Sequence, residues 1–170
     1  MEDREQRLNE VAGIAVALEK QTGCPARLMI AQWALESEWG AKPVGHANYF
    51  GVKKAARHTQ CCLVTTHEFE NGKSVVESLE FADYPSLEDS CQDYAWLITN
   101  GAPYRAAWIQ YQNGHDLGTL IVSVARIYAT DPGYSQLAEE IALQENVTEA
   151  IAHAVHGEIS AATGAQPPIA

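Results

Sequence analysis

The stretch from Leu63 to Phe81 differs in kind from the rest of this 170-residue chain, and it restricts the possible folds most. Leu63 to Phe69 is rich in β-branched residues, and Val75, Val76, Leu79 and Phe81 form a return strand. Between them lies Asn71-Gly72, the strongest short hairpin signal a sequence offers. A two-stranded hairpin is marginal alone in water, so it must dock on something larger. Everything around it has helical spacing. The chain is therefore expected to be mainly α (α+β): a helical body with one inserted hairpin lobe, about residues 60–84, walling one side of a groove.

The helical spacing begins with Leu8, Val11, Ile14, Ala15 and Leu18, a stripe over 4–21 that Gly23 breaks. Pro25 suits the first turn of a second helix over about 25–38. After the hairpin, Ser86 followed by Asp89 resembles a capping box. The helix it opens carries Leu87, Cys91, Tyr94 and Leu97. Tyr104, Ala107, Trp108 and Tyr111 fall on a short helix, and Asp116 and Asp131 are placed to cap two more. Beyond about residue 145 only Val147, Ile151 and Val155 keep a helical period. The expected organisation is one domain over 1–145, then an extension over 146–170 made of a weak helix and a flexible tail.

A chain of this length that is 46% hydrophobic can bury a core without staples. Its formal net charge of -11 argues against a nucleic-acid binder, which needs a basic face, and against contact with anionic lipid. No run approaches the roughly 18 apolar residues of a membrane span, so no membrane insertion is expected. The charged start, Met1-Glu2-Asp3-Arg4-Glu5, shows no secretory signal, which predicts synthesis in the cytoplasm. A monomer is expected. The four cysteines, Cys24, Cys61, Cys62 and Cys91, show no CxxC spacing. They are read as reduced, with Cys24–Cys91 and Cys61–Cys91 pairings left open. Cys24 alone sits at a helix start that could activate a thiol. The six histidines form no metal-ligand pattern, and no P-loop, GxSxG or dinucleotide turn occurs, so no metal or cofactor is expected.

The chemistry-bearing stretch is Ala31-Gln32-Trp33-Ala34-Leu35-Glu36-Ser37-Glu38-Trp39-Gly40. It sets Glu36 among Trp33, Leu35 and Trp39. Burial among apolar neighbours disfavours the charged carboxylate, and an acid that keeps its proton near neutrality can serve as a general acid. Spacing alone is equally satisfied by a solvated surface acid. Gln32 stands four residues before Glu36 and shares its face, which points to a polar cleft. On the hairpin, Glu68, Glu70, Glu77 and Glu80 could supply a second carboxylate, with Glu68 preferred. Trp33, Trp39, Tyr49, Tyr84, Tyr104, Tyr128 and Tyr134 are prominent around such a cleft. Aromatic rings with polar tips suit sugars, although several of these must be core.

Taken in order, ALESEWG, NYFGVK, TTHEFENGK, FADYPS, DYA and YATDPGY resemble the glucosaminidase family of peptidoglycan hydrolases over about residues 5–142. The resemblance implies a lysozyme-like fold and hydrolysis of the bond between N-acetylglucosamine and N-acetylmuramic acid in peptidoglycan glycan strands. It implies that Glu36 is the catalytic acid and that Glu68 is the second glutamate. It also implies substrate contacts from Tyr49, Phe50, Tyr128 and Tyr134, to which Trp39 and Asn48 are added from the same motifs and Gln32 from the face it shares with Glu36. The sequence departs from the family pattern at Tyr49, at His67 before Glu68, and at Cys61-Cys62. The same fold could serve a lytic transglycosylase or a non-catalytic wall-binding module. A substrate in the wall requires a route there: lysin-like release, dedicated export, or a leader outside this sequence.

Overall fold

The computed structural model describes the backbone of residues 2–70, 73–129 and 131–163. Within that span it describes the side chains other than those of 2, 66–77, 132 and 158–163. Most of it is helix, with one two-stranded antiparallel sheet. Helix α1 is Glu2–Thr22 and α2 is Ala26–Glu36. Strands β1, Cys61–Glu70, and β2, Lys73–Ala82, follow. Then come α3, Leu87–Asn100, a 3-10 turn at Ala102–Tyr104, and α4, Arg105–Gln112. The chain continues with α5, Leu117–Tyr128, α6, Pro132–Ala142, and α7, Glu145–Thr163.

Helix α2 is the centre of the body. Eight of its eleven residues, Ala26 and Leu28 through Ala34, are buried, so it has no solvent face along most of its length. A helix apolar on every side needs cover on every side. Here α1, α3, α6 and α7 supply it. Leu8, Val11, Ala12, Ala15 and Val16 of α1 form one wall. Gly23, at φ +80, ends α1 by donating its N–H to the Glu19 carbonyl. The Glu19 carboxylate then accepts the otherwise orphaned N–H of Ala26 at the start of α2.

The end of α2 is equally determined. Ser37 Oγ donates to the Trp33 carbonyl at 2.6 Å and accepts the Gly40 N–H at 3.0 Å. Glu38, Trp39 and Gly40 follow in succession at φ 50, 60 and 75. Left-handed backbone costs roughly 1–2 kcal/mol for a residue with a Cβ, so this turn stores strain beside the last residue of α2.

The hairpin docks by its base. Lys53 bridges to Phe81, Ala82 N–H donates to the Val52 carbonyl, and Lys54 N–H donates to the Glu80 carbonyl. Asn48 clasps the joint: its Nδ2 donates to the carbonyls of Val52 and Ala82, and its Oδ1 accepts from the N–H groups of Phe50 and Val52. Among the described hairpin side chains only Ala82 is fully buried, and Leu63 is 67% exposed. Docking was expected from sequence; that it runs through backbone hydrogen bonds at one end was not. The pairing runs to Glu70 opposite Lys73, and the expected Asn71-Gly72 turn lies outside the described residues.

The three caps read from sequence are made. Ser86 Oγ accepts from Asp89 N–H, Asp116 from Thr119 N–H, and Asp131 from Gly133 N–H. The weak helix expected after 145 is α7, a helix of 19 residues packed along α1. Val147 and Ala150 lie in the common core, so the start of this segment is part of the body rather than an appendage. The tail beyond 163 lies outside the described residues. All four cysteines are free thiols, so neither open pairing is formed.

Gly40 should be hard to replace. A Cβ there would come within 2.5 Å of the Trp33 ring, whereas one at Gly114, at φ +95, would meet nothing within 4 Å. Gly40→Ala is expected to cost about 2–4 kcal/mol, strain plus overpacking. Gly114→Ala should cost only about 1–2 kcal/mol from strain. Urea unfolding of both variants measures the difference, and equal losses would mean the Trp33 contact is immaterial.

Candidate active site

Glu36 is the last residue of α2, at the point where the buried helix reaches the surface. Its carboxyl is half-buried. Tyr134 of α6 donates its hydroxyl to Glu36 Oε1 at 2.5 Å. The Tyr134 oxygen in turn accepts from Gln32 Nε2 at 3.3 Å, and Tyr94 donates to Gln32 Oε1 at 2.7 Å. A hydrogen-bond chain therefore runs from the core, Tyr94 to Gln32 to Tyr134, and ends on one oxygen of Glu36.

The other oxygen, Oε2, accepts no hydrogen bond among the described residues and faces Gly51. A Cβ on Gly51 would stand 3.1 Å from it, so the glycine leaves room beside the acid. Burial raises the pKa of Glu36, and the Tyr134 hydrogen bond opposes this in part. Because Tyr134 donates to Oε1, a proton on the neutral acid belongs on Oε2, the oxygen beside Gly51.

Gly51 also lines a cleft of about 410 Å³, together with Val52, Lys53, Tyr104, Ile127 and Tyr128, among others; Glu36 is not among its lining residues and adjoins it through Gly51. Tyr104 feels the same carboxyl: burial first, then the Glu36 charge, pushes its phenol up to about 12. Tyr128 donates to the Phe50 carbonyl and so fixes the Asn48–Lys53 loop that carries Gly51.

Of the residues expected to contact substrate, Tyr128 and Tyr134 reach the Glu36 region and five are placed otherwise. Gln32, Asn48 and Phe50 are essentially without exposed surface. Gln32 is held between two tyrosines, Asn48 is saturated by the hairpin clasp, and Phe50 stacks on Tyr94 with ring centroids 4.3 Å apart. Their roles are therefore internal. Trp39 is turned by its left-handed backbone toward α1, where the Arg4 guanidinium lies 3.6 Å from its ring centroid. Tyr49 feels Glu10 and Arg7 of α1 and also does not line the cleft.

Gly51 lines the cleft but was not singled out as a site residue, and Tyr104, named only among the aromatic residues around such a cleft, lines it too. The glycine of the NYFG stretch was the available signal for the first. Glu68 pairs with Val75 in the hairpin, and its side chain lies outside the described residues, as do those of Glu70 and Glu77. Glu80 is engaged elsewhere: it pairs with Lys54 at 3.1 Å, which holds its pKa down. Cys24 is fully buried with its thiol pushed far up by burial, so it is no nucleophile.

Known proteins share this arrangement of elements. The catalytic domain of the autolysin Auto from Listeria monocytogenes superposes with a TM-score of 0.72 at 27% identity, covering 86% of each chain. The glycoside hydrolase domain of FlgJ from Salmonella typhimurium gives 0.61 at 27% identity, covering 96% of this chain and 97% of that one. In sequence, the chain is 31% identical over 149 residues to a probable N-acetylmuramidase of Lactococcus lactis, covering 83% of this chain and 33% of that protein. It is 34% identical over 124 residues to the peptidoglycan hydrolase FlgJ of Salmonella typhimurium, covering 69% of this chain and 38% of that protein. It thus spans about a third of the length of these relatives. The family model described as mannosyl-glycoprotein endo-beta-N-acetylglucosaminidase matches residues 12–146, nearly the whole described body, and the chain belongs to this glucosaminidase family.

Proposed function

We propose that this chain hydrolyses peptidoglycan glycan strands at the β-1,4 bond between N-acetylglucosamine and N-acetylmuramic acid, with Glu36 as the general acid. The observation that carries the proposal is the state of that carboxyl: half-buried, raised in pKa, and bonded by Tyr134 through Oε1 alone. Oε2 then presents its proton to a glycosidic oxygen in the cleft beside Gly51. As the bond breaks and oxocarbenium character develops on the departing sugar, Glu36 becomes a carboxylate. The Tyr134 hydrogen bond is stronger to that anion than to the neutral acid, so it favours the transition state over the ground state. The relatives named as peptidoglycan hydrolases and as an N-acetylmuramidase support the polymer as substrate. Such a substrate places the site of action at the cell wall. No helix among the described residues is long and apolar enough to cross a membrane.

Glu68 is assigned as the second carboxylate, which activates water or stabilises the cationic sugar. Its position in the TTHEF strand supports this, as does the engagement of Glu80 by Lys54. A carboxyl separation of roughly 6.5–9.5 Å would give inversion and about 5–5.5 Å retention, which NMR of the first-formed anomer reads directly.

Glu36→Gln should lower kcat on purified sacculi by about 10²–10⁴-fold, the usual worth of a general acid. Retained lysis would sink the assignment. The same variant should melt at or above the wild-type temperature near neutral pH. A carboxyl whose folded pKa is raised stabilises the fold only while protonated, and it loses that contribution as pH climbs through the folded value. Glutamine has no such charge to bury.

A general acid must be protonated, so activity should fall as pH rises through the Glu36 pKa. The Tyr134 hydrogen bond lowers that pKa. Tyr134→Phe should therefore move the alkaline limb of the profile upward while reducing kcat, and an unmoved limb would assign it to another group. Borohydride reduction and mass spectrometry of the products test the bond. N-acetylglucosaminitol ends are expected. N-acetylmuramitol ends would make the chain a muramidase, and anhydro-muramyl ends a lytic transglycosylase.

A further inference from the structure

A second and larger concavity, of about 960 Å³, lies where the end of α1 meets α3 and α4, apart from the cleft lined by Gly51 beside Glu36. It is lined by Trp96 and Trp108, the amides of Gln21, Gln92 and Gln112, and Arg105, among others. In a chain with 22 acidic residues, no acid lines it and Arg105 is its one charged side chain. That composition disfavours a metal ion or a cationic ligand. The amides of Gln21 and Gln112 make no hydrogen bond among the described residues, so both their donors and acceptors are available. The volume is at the upper end of the ~300–1,000 Å³ of small-ligand sites and is suited to an elongated ligand.

Trp96 is built as a platform. It is 46% exposed, yet one face of its indole is covered by the Arg57 guanidinium, 4.5 Å from the ring centroid. Arg57 is itself fixed by a two-pronged pair with Asp93, both bonds 2.9 Å. Asp93 also accepts from the Tyr84 hydroxyl at 2.7 Å and lies 3.1 Å from His58 Nε2. Trp96 lines the groove and Arg57 does not, so the indole presents its remaining surface there. An exposed indole backed by a fixed guanidinium, in a groove that also carries amides, matches a pyranose ring, apolar on its C–H face and polar at its hydroxyls and acetamido group.

We propose that this groove is an accessory saccharide site that takes N-acetylated amino-sugar residues of a glycan strand lying outside the catalytic cleft. It rests on the reading of the substrate as a glycan polymer. Its place in the fold fits that use. Arg57 lines the catalytic cleft as well as backing Trp96, and Leu97, the next residue on α3, also faces that cleft. A strand leaving the cleft across Arg57 meets the Trp96 groove next. The site would hold a long polymer without touching the bond being cut.

The test uses the full chain carrying Glu36→Gln, titrated with chitotetraose and followed by ¹H–¹⁵N NMR. Saturable shifts are expected at the indole N–H of Trp96 and Trp108. Adding Trp96→Ala should weaken that phase by about tenfold, and Gln21→Ala with Gln112→Ala by about fivefold. In the active chain, Trp96→Ala should raise KM on sacculi by a similar factor and leave kcat on a soluble tetrasaccharide unchanged. Shifts confined to the surroundings of Gly51 and Tyr128, or saturation by a free stem pentapeptide and not by the saccharide, overturn the proposal. Failure of the catalytic reading would show separately as lysis by Glu36→Gln, with the indole titration still deciding the groove.

Discussion

Holding the Glu36 carboxyl half out of water works against folding, and the body of the protein is arranged to sustain it. The carboxyl stands at the end of a helix that is buried on all sides, so it borders the core on one side and Gly51, at the edge of the cleft, on the other. The core answers with a single line of hydrogen bonds, Tyr94 to Gln32 to Tyr134, that converges on one oxygen from three different helices. Buried polar groups of this kind are costly when unpaired and rigid when paired. Here the line orients the acid and leaves its second oxygen uncommitted. Removing any member would leave a buried donor or acceptor without a partner, at a cost of about 1–3 kcal/mol, as well as loosening the acid.

The loop from Asn48 to Lys53 does the complementary work on the far side of the carboxyl. Phe50 is anchored by stacking on Tyr94, and its carbonyl is held by Tyr128. Asn48 ties the same loop to the foot of the hairpin. Between these anchors Gly51 sits at φ +61, close to Glu36 Oε2. The same tyrosine, Tyr94, thus supports the acid through Gln32 and the facing loop through Phe50. The two walls of the cleft share one buried foundation.

Local signals carried much of this. The helix caps at Ser86, Asp116 and Asp131, the two strands of the hairpin and the placement of Glu36 at a helix end are all short-range features, and each is written within a few residues. Gln32 shows where such reasoning stops. Its spacing from Glu36 correctly put both on one face, and a polar residue there suggested an open cleft. What covers that face comes from Tyr94 and Tyr134, 62 and 102 residues away, and no local pattern announces their arrival. Asn48 and Phe50 were misplaced for the same reason, since a motif shows that residues act together without showing which of them touch solvent. The stripe of α7, Val147, Ile151 and Val155, was legible but sparse, and Ala150, which joins Val147 in the core, is too small to add to it.

The way the hairpin is attached has a consequence for how such a domain can change. Its described outer side chains add little to the core, and its foot is secured by main-chain bonds and by Asn48, none of which depends on the identity of the strand residues. Substitutions at the exposed described strand positions, such as Leu63 and Thr65, should therefore be nearly neutral for folding. The helical body keeps the acid in place, while those exposed strand positions are free to vary. Recognition can thus diversify without passing through unstable intermediates.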